Sequence, residues 1–470
     1  MKPTLSARGP HAKLGSRQSS RVLNLLRTYE SRNVTFIEPD GSWPIVWERA
    51  QGVYVWDLEG RRYLDLTAAF GVAAAGHANQ RVVRAGQRQM AKLLHAMGDV
   101  HPHALKAQLA RELSRLTFAR WTAAKGHQPK AKTLAGKVIF CNSGFEAVEA
   151  ALKTAMLATN KPGVIAFEGA YHGTGYGALN ATHREHFRAP FRSQLGKFGR
   201  WIPLPTGRQA LGETADAIGR LCRREAIGAI LVEPVQGRGG IMVPAPELLP
   251  RLRRLCDEHG ALLVLDEVYT GFGRTGRWFA CEHTGTVPDL ICLGKALAGG
   301  FPISACVGRA DLMDAAWPAS SGEAIHTSTF LGHPVGCAMA LAQIDEIRQH
   351  RLVERSARLG ESLLHALASL AVRISSLNLR WRGLGLMAGL ELRTPAGSPA
   401  TTLALAVIKA MLQRGYILLP EGAHSNVISF TPPLNIAEHQ LAATVRTLEE
   451  ILARFAPPSA ACARAGGRKP

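Results

Sequence analysis

Residues 227–270 read IGAILVEPVQGRGGIMVPAPELLPRLRRLCDEHGALLVLDEVYT. Two runs in this stretch, IGAILV and ALLVLD, are apolar almost without a break. Between them PRLRRLCDEHG sets apolar residues at helical spacing, with Pro250 at its start and Gly260 at its stop. A strand with no polar face must be covered on both sides. Similar short runs recur outward: KVIF at 137–140, GVIAF at 163–167, LICLG at 290–294 and SACVG at 304–308, most of them separated by helical stretches. This alternation predicts an α/β fold on a mostly parallel sheet with helices on both faces.

The flanks read differently. GVYVWDLEGRRYLDL, 52–66, alternates as a hairpin with its turn at Glu59-Gly60. After His333 the pattern is helical to about residue 370, and strand signals follow at 385–392, 416–419 and 427–430. The expected organisation is a large domain over 96–345 and a small α+β domain built from both chain ends, 31–95 and 346–456. A flexible basic arm at 1–30 and a disordered tail at 457–470 complete it. The arm carries Lys2, Arg8, Lys13, Arg17 and Arg21 and no acidic residue before Glu30. That composition resembles a cleaved organellar leader; the plainer reading is a basic arm leading into a helix near 21–31 of a cytoplasmic protein.

The formal charge is +20, but lysines and arginines are spread over the chain and no aromatic-plus-basic stretch of an RNA-binding kind occurs. A basic surface is therefore expected, with no nucleic-acid partner. No apolar run approaches the roughly 18 residues of a membrane span, so no membrane partner is expected. None of the eight cysteines has CxxC spacing, so no metal site is expected and a reducing compartment is.

In open α/β sheets ligands gather at the carboxyl ends of the strands. Three polar segments fall there. In FCNSGFEAVEAALK, 140–153, a strand ends at an Asn142-Ser143-Gly144 turn that opens a helix. This is either an ordinary helix cap or an anion site suited to phosphate. In ALLVLDEVYTGFGRTG, 261–276, Asp266 ends a buried strand, where a carboxylate needs a partner: a structural cation, or the protonated nitrogen of a bound ring. In LICLGKALAGGFPISA, 290–305, Lys295 follows an apolar strand. It either snorkels to solvent or is a desolvated nucleophile of the Schiff-base kind. A phosphate cradle, a carboxylate for a cationic ring and a nucleophilic lysine together meet the requirements of pyridoxal phosphate.

NSGFEAVEAALK, FEGAYHG, EPVQGRGG, DEVYTGFGRTG, LGKALAGGFPISA and HTSTFLGHPVGCAMA, in this order, resemble the signatures of class III aminotransferases of fold type I. The resemblance runs from about residue 45 to about 452, including DLEGRRYLDLTAAFGVAAAGH, RGLGLMAGLEL and NVISFTPPLNI. It implies a ping-pong transfer from an amino donor, an amino acid or amine, to an oxo-acid or aldehyde acceptor, with pyridoxal phosphate as cofactor. It implies that Lys295 joins the cofactor covalently and later moves the proton, and that Asp266 keeps the ring nitrogen protonated. Ser143, Gly144 and the Phe145 amide would hold the phosphate, Tyr171 and Val268 would face the two sides of the ring, and His172 and Tyr269 would lie against it. Thr329 would reach the neighbouring subunit's cofactor, making the active unit a homodimer. Glu233, Phe70 and Ser429 would lie on the substrate side. Alternatives are an aminomutase or amino-acid racemase on the same fold and, from another class, a non-catalytic basic binding protein.

Three departures stand out. Phe145 replaces a small or hydroxylated residue, Arg238 replaces the usual Glu of EPVQGEGG, and Ser429 stands where many members carry a carboxylate-gripping arginine. With Ser429, Glu233 loses its expected partner: another cation neutralises it, with Arg238 and His424 as candidates, or it is protonated, or it faces a substrate's ammonium group; 2-oxoglutarate is expected to be a poor acceptor.

Overall fold

The computed structural model of the chain describes residues 17–123 and 135–455. Its centre is a seven-stranded sheet in the order Gly136–Cys141, Ser304–Arg309, Leu290–Leu293, Leu262–Asp266, Ile227–Val232, Gly163–Phe167, Gly199–Ile202. Ser304–Arg309 is antiparallel to both of its neighbours, and the other six strands share one direction. Every residue of Gly163–Phe167 and Ile227–Val232 is buried, which is why those runs carry no polar alternation. The connecting helix Leu248–His259 stops at Gly260, whose φ of 60° is the left-handed cap that glycine adopts without strain. The α/β reading, with its mostly parallel sheet, is thus the architecture observed. Gly199–Ile202, an edge strand with half-buried Arg200 and Trp201, was not among the runs singled out.

Two four-stranded sheets come from the chain ends. One joins Trp47–Gln51, Tyr54–Asp57 and Arg62–Asp65 to Tyr416–Ile417, which pairs in parallel with Arg62–Asp65 and so ties the two ends together. The other is antiparallel: Asn378–Leu384, Met387–Arg393, Val427–Phe430, Leu419–Glu421. The long helix Leu352–Arg373 buries Leu359, Leu363, Leu367 and Leu370 at helical spacing against them.

The arm needs correction. Arg17–Tyr29 is a helix anchored to the body, not a flexible segment. Ser19 donates through its N–H (3.2 Å) and hydroxyl (2.9 Å) to the Glu59 carboxylate, and Leu23 is buried. The remainder of the arm, 1–16, and the tail at 457–470 lie outside the described residues.

One local feature sits directly against the sheet edge that carries the polar segments. Asp65 is fully buried. Its Oδ1 accepts from the Thr67 N–H (2.8 Å) and hydroxyl (2.6 Å), while Oδ2 accepts from the Ala69 N–H (3.1 Å) and lies 2.7 Å from His77 Nε2. These bonds hold Ala68, Ala69, Phe70 and Gly71 in a left-handed run, with φ of 47°, 49°, 61° and 81°. Each non-glycine member of such a run costs about 1–2 kcal/mol. The run packs on the Lys295–Leu297 turn. Asp65→Ala leaves His77 and three donors without their acceptor. The expected loss in unfolding free energy is about 3 kcal/mol or more, read by urea denaturation. A loss under about 1 kcal/mol would mean that packing alone holds the run.

Candidate active site

The six co-directional strands end at one edge, and the segments that follow them line it. After Gly136–Cys141, Ser143 caps the helix Gly144–Thr159. Glu146 accepts from the Asn142 and Ser143 N–H groups at 2.6 and 2.9 Å. The N–H groups of Gly144 and Phe145, in the first turn, have no partner inside the helix. The Ser143 hydroxyl oxygen is buried and likewise without a partner among the described residues. A Cβ on Gly144 would stand 2.9 Å from Val268 Cγ1, so only glycine lets Val268 close this side. Phe145 fills the loop opposite: a Cβ on Gly173, at φ 113°, would stand 2.3 Å from Phe145 Cβ. The bulk of the ring at 145 is accommodated by the glycine at 175, where a Cβ would stand 2.4 Å from Phe145 Cδ2.

Asp266, the last residue of its strand, is 6% exposed. Oδ1 accepts from the Val268 N–H (3.1 Å), and Oδ2 lies 2.8 Å from His172 Nδ1. His172 is itself buried, its amide donates to the Thr182 hydroxyl at 2.9 Å, and its Nε2 is buried without a partner among the described residues. Glu233 accepts from the Tyr171 N–H (2.9 Å) and the Gly237 N–H (3.0 Å). Burial pushes its carboxyl up to about 7; the nearby His172 opposes the rise and Asp266 adds to it.

Lys295 is half-buried at φ 43°. Its Nζ stands 3.8 Å from the centre of the Tyr269 ring. Burial lowers its ammonium to about 8, against the raising influence of Asp266, Glu233 and Glu421 and with that of Arg238. Tyr269 is fixed from three sides. Its hydroxyl is 3.1 Å from Thr431 Oγ1, and a Cβ on Gly71 or Gly237 would stand 2.5 or 2.4 Å from its ring carbons. Gly71 does double service, since its φ of 81° also completes the left-handed run.

Ser143, Gly144, Phe145, Tyr171, His172, Glu233, Asp266, Val268, Tyr269 and Lys295 therefore share one edge. Phe70 is in the left-handed run and 47% exposed. Thr329 is exposed in a turn whose preceding residue, Ser328, accepts from Asn142 Nδ2 at 3.5 Å. Ser429 is buried within its sheet and its hydroxyl donates to the Leu419 carbonyl at 3.1 Å. His424 is exposed and offers its carbonyl to the Thr401 hydroxyl.

Of the alternatives for Glu233, the replacement cations Arg238 and His424 are not found against it: backbone amides hold its carboxylate, and burial favours its protonated form. Arg238 pairs instead with Glu421, Nε to Oε2 3.7 Å. Arg238 and Arg184 both stand near Tyr171. Glu421 and Arg184 were missed. Glu421 had a signal, a carboxylate at the end of an apolar run, which is the argument applied to Asp266. Arg184, in the loop THREHF, had none.

These residues fit a pyridoxal phosphate. A buried hydroxyl and two open helix amides await an anion, Asp266 backed by His172 suits a cationic ring nitrogen, and an amine of lowered basicity stands across the edge. Known proteins agree. The family described as aminotransferase class-III matches residues 37–452. The chain is 37% identical over 418 residues to a 5-aminovalerate aminotransferase of Pseudomonas aeruginosa, covering 87% of this chain and 93% of that one. It is 36% identical over 410 residues to an acetylornithine aminotransferase of Methanosarcina mazei, covering 87% and 92%. A PLP-bound amine transaminase from an uncultivated Pseudomonas species superposes with a TM-score of 0.80 at 27% identity, over 91% of this chain and 98% of that one. The chain belongs to the class III aminotransferases, enzymes of fold type I that use pyridoxal phosphate to move an amino group from a donor to an oxo acceptor.

Proposed function

We propose that Lys295 and Asp266 are the catalytic pair of this aminotransferase, in a ping-pong exchange between a primary amine and an oxo acid or aldehyde. The observation that carries the reading is the convergence of the Lys295 amine, the Asp266–His172 pair and the unpartnered Ser143 hydroxyl on one sheet edge. When bound, pyridoxal phosphate supplies a carbonyl that amines condense with and a ring that accepts electron density.

In this reading Ser143 and the amides of Gly144 and Phe145 hold the phosphate, and Tyr171 and Val268 close the two faces of the ring. Asp266 would keep a proton on the ring nitrogen, and His172 orients the Asp266 carboxylate. Lys295, pushed toward its neutral form by burial, takes the proton from the substrate carbon and returns it on the cofactor side. The left-handed run at 68–71 and the Tyr269 ring keep the Lys295 side chain from swinging away. Thr329, exposed in a single chain, completes a neighbour's phosphate site in a homodimer. A cytoplasmic location suits the seven described cysteines, all free. The donors for which the two relatives are named carry a primary amine at the end of an unbranched chain, and we extend that donor type to this enzyme.

The decisive experiment is a half-reaction. Enzyme mixed with a terminal primary amine releases one equivalent of oxo product and leaves the cofactor in its amine form; an isomerase leaves no oxo product. Lys295→Ala abolishes covalent retention of the cofactor and lowers turnover at least about a thousandfold, since nucleophile and proton carrier go together. Asp266→Asn keeps the cofactor but slows proton transfer at least about a hundredfold. A change confined to cofactor affinity would make Asp266 a binding residue only.

The lowered basicity of Lys295 gives a pH test. Below about 8 its amine is protonated and cannot attack a carbonyl. Covalent capture of pyridoxal phosphate by apoenzyme therefore accelerates as pH rises through about 8 and then levels off, whereas an ordinary lysine goes on gaining to about 10.4.

A further inference from the structure

The Gly422 N–H donates to the Arg238 carbonyl at 3.1 Å, which sets the Arg238 and Glu421 side chains beside each other. Their 3.7 Å contact is too long for a hydrogen bond, and Arg238 Nε is buried with no other partner among the described residues. The Arg238 guanidinium stands 5.5 Å from the centre of the Tyr171 ring. Tyr171 meets Phe187 edge-on at 5.2 Å, and the Arg184 guanidinium stands 5.4 Å from the centre of Phe187. Two guanidiniums thus share a ledge of two touching rings, and Arg238 is near enough to Lys295 to disfavour its ammonium.

The charges do not balance. Arg184 has no ion-pair or hydrogen-bond partner for its side chain among the described residues. Burial, and then the nearby Arg238, make its charge less favourable, while Glu421 offsets only part of that cost. Glu421 is 3% exposed and Arg238 is its one ion-pair partner among the described residues. Two cations against one carboxylate leave one positive charge beside the site, partly withdrawn from water and unmatched. Such an arrangement is costly unless an anion arrives.

We propose that Arg184 and Arg238 bind the carboxylate of the substrate at the end remote from the reacting carbon, and that Glu421 sets the subsite for a single negative charge. The substrates are then ω-amino acids and oxo acids that bear one carboxylate distant from the carbon that exchanges nitrogen. This rests on the amino-transfer reading above and adds the far end of the substrate to it. Planar guanidiniums suit a carboxylate, and each charge-assisted contact is stronger than a neutral one. Glu421 repels a second carboxylate at the same place.

The test has a binding arm and a kinetic arm, both on holoenzyme. Caproate, an unreactive monocarboxylate, is titrated by calorimetry into the wild type and into Arg184→Gln, Arg238→Gln and Glu421→Gln. Either arginine variant is expected to weaken caproate tenfold or more, the scale of one charge-assisted contact. Glu421→Gln is expected to tighten it several-fold, because the offsetting charge is gone. The kinetic arm compares kcat/KM for ω-aminocaproate and hexylamine. The preference for the amino acid is expected to fall at least tenfold in either arginine variant. If Glu421→Gln weakens caproate as the arginine variants do, or if the arginine variants leave both caproate binding and the substrate preference unchanged, the proposal is overturned. Loss of all amino transfer in the wild type would sink the catalytic reading while the calorimetric arm still read the arginines, so the two ideas fail separately.

Discussion

A carboxylate at the end of a buried strand cannot stand alone, and much of this site follows from the partner that Asp266 needs. The strand Leu262–Asp266 brings that carboxylate out of a fully covered sheet. His172 answers it at 2.8 Å, and reaching that position dictates the course of the loop after Gly163–Phe167. The His172 amide bonds to the Thr182 hydroxyl, which in turn donates to the Gly173 carbonyl. One residue earlier, the Tyr171 amide is taken by Glu233 from the next strand. Three strand ends are thereby joined by polar contacts that would be too costly to bury if any were left unmade.

The second constraint is electrostatic. Lys295 sits among Asp266, Glu233 and Glu421, which favour its charge, and in surroundings too dry to allow that charge cheaply. Burial wins, so the amine is lowered to about 8 and stays chemically useful near neutrality. Glu233 shows the same contest with the opposite sign: two amides and His172 favour its ionised form, burial and Asp266 disfavour it, and burial again prevails. Neither group reaches its state by a single contact. Each is set by dryness first and by neighbours second, which makes the closure of the site by Val268, Tyr269 and the glycines at 71, 144 and 237 part of its chemistry.

The sheet was legible because its inner strands are covered on both faces and so wrote themselves as unbroken apolar runs. Gly199–Ile202 escaped because an edge strand keeps half its side chains near solvent, and GRWI carries no such run. The edge proposed as catalytic was legible for a related reason: Asp266 and Lys295 are ionisable residues at the ends of apolar strands, a juxtaposition that folding penalises and that therefore needs a function or a partner. Glu421 obeys the same rule but belongs to a three-residue strand, too short to make its surroundings evident. Arg184 and the Asp65–His77 pair could not be read at all. Arg184 gains its meaning from ring contacts with a residue three positions on and from Arg238, fifty-four positions away (238 − 184). A run of left-handed backbone through Ala68, Ala69 and Phe70 contradicts every local preference, and only the buried Asp65 network explains it.

The departure at Phe145 shows how such a site absorbs a change of residue. A phenyl ring in the first turn of the helix Gly144–Thr159 offers no side-chain hydroxyl, so an anion held there would rely on the Ser143 hydroxyl and on the amides of the helix start. Those groups are the ones that the fold protects. Glu146 occupies the amides of Asn142 and Ser143 just outside the turn, which leaves Gly144 and Phe145 as the open donors aimed along the helix axis. The ring itself needs room, and the loop opposite supplies it with a glycine at 175, where a Cβ would stand 2.4 Å from Phe145 Cδ2. A change at 145 in the other direction, to a small residue, would open a gap against Gly175, in the same loop that delivers His172 to Asp266. The helix start at Ser143 and the Asp266–His172 pair are therefore coupled through packing, although no hydrogen bond joins Phe145 to His172 among the described residues.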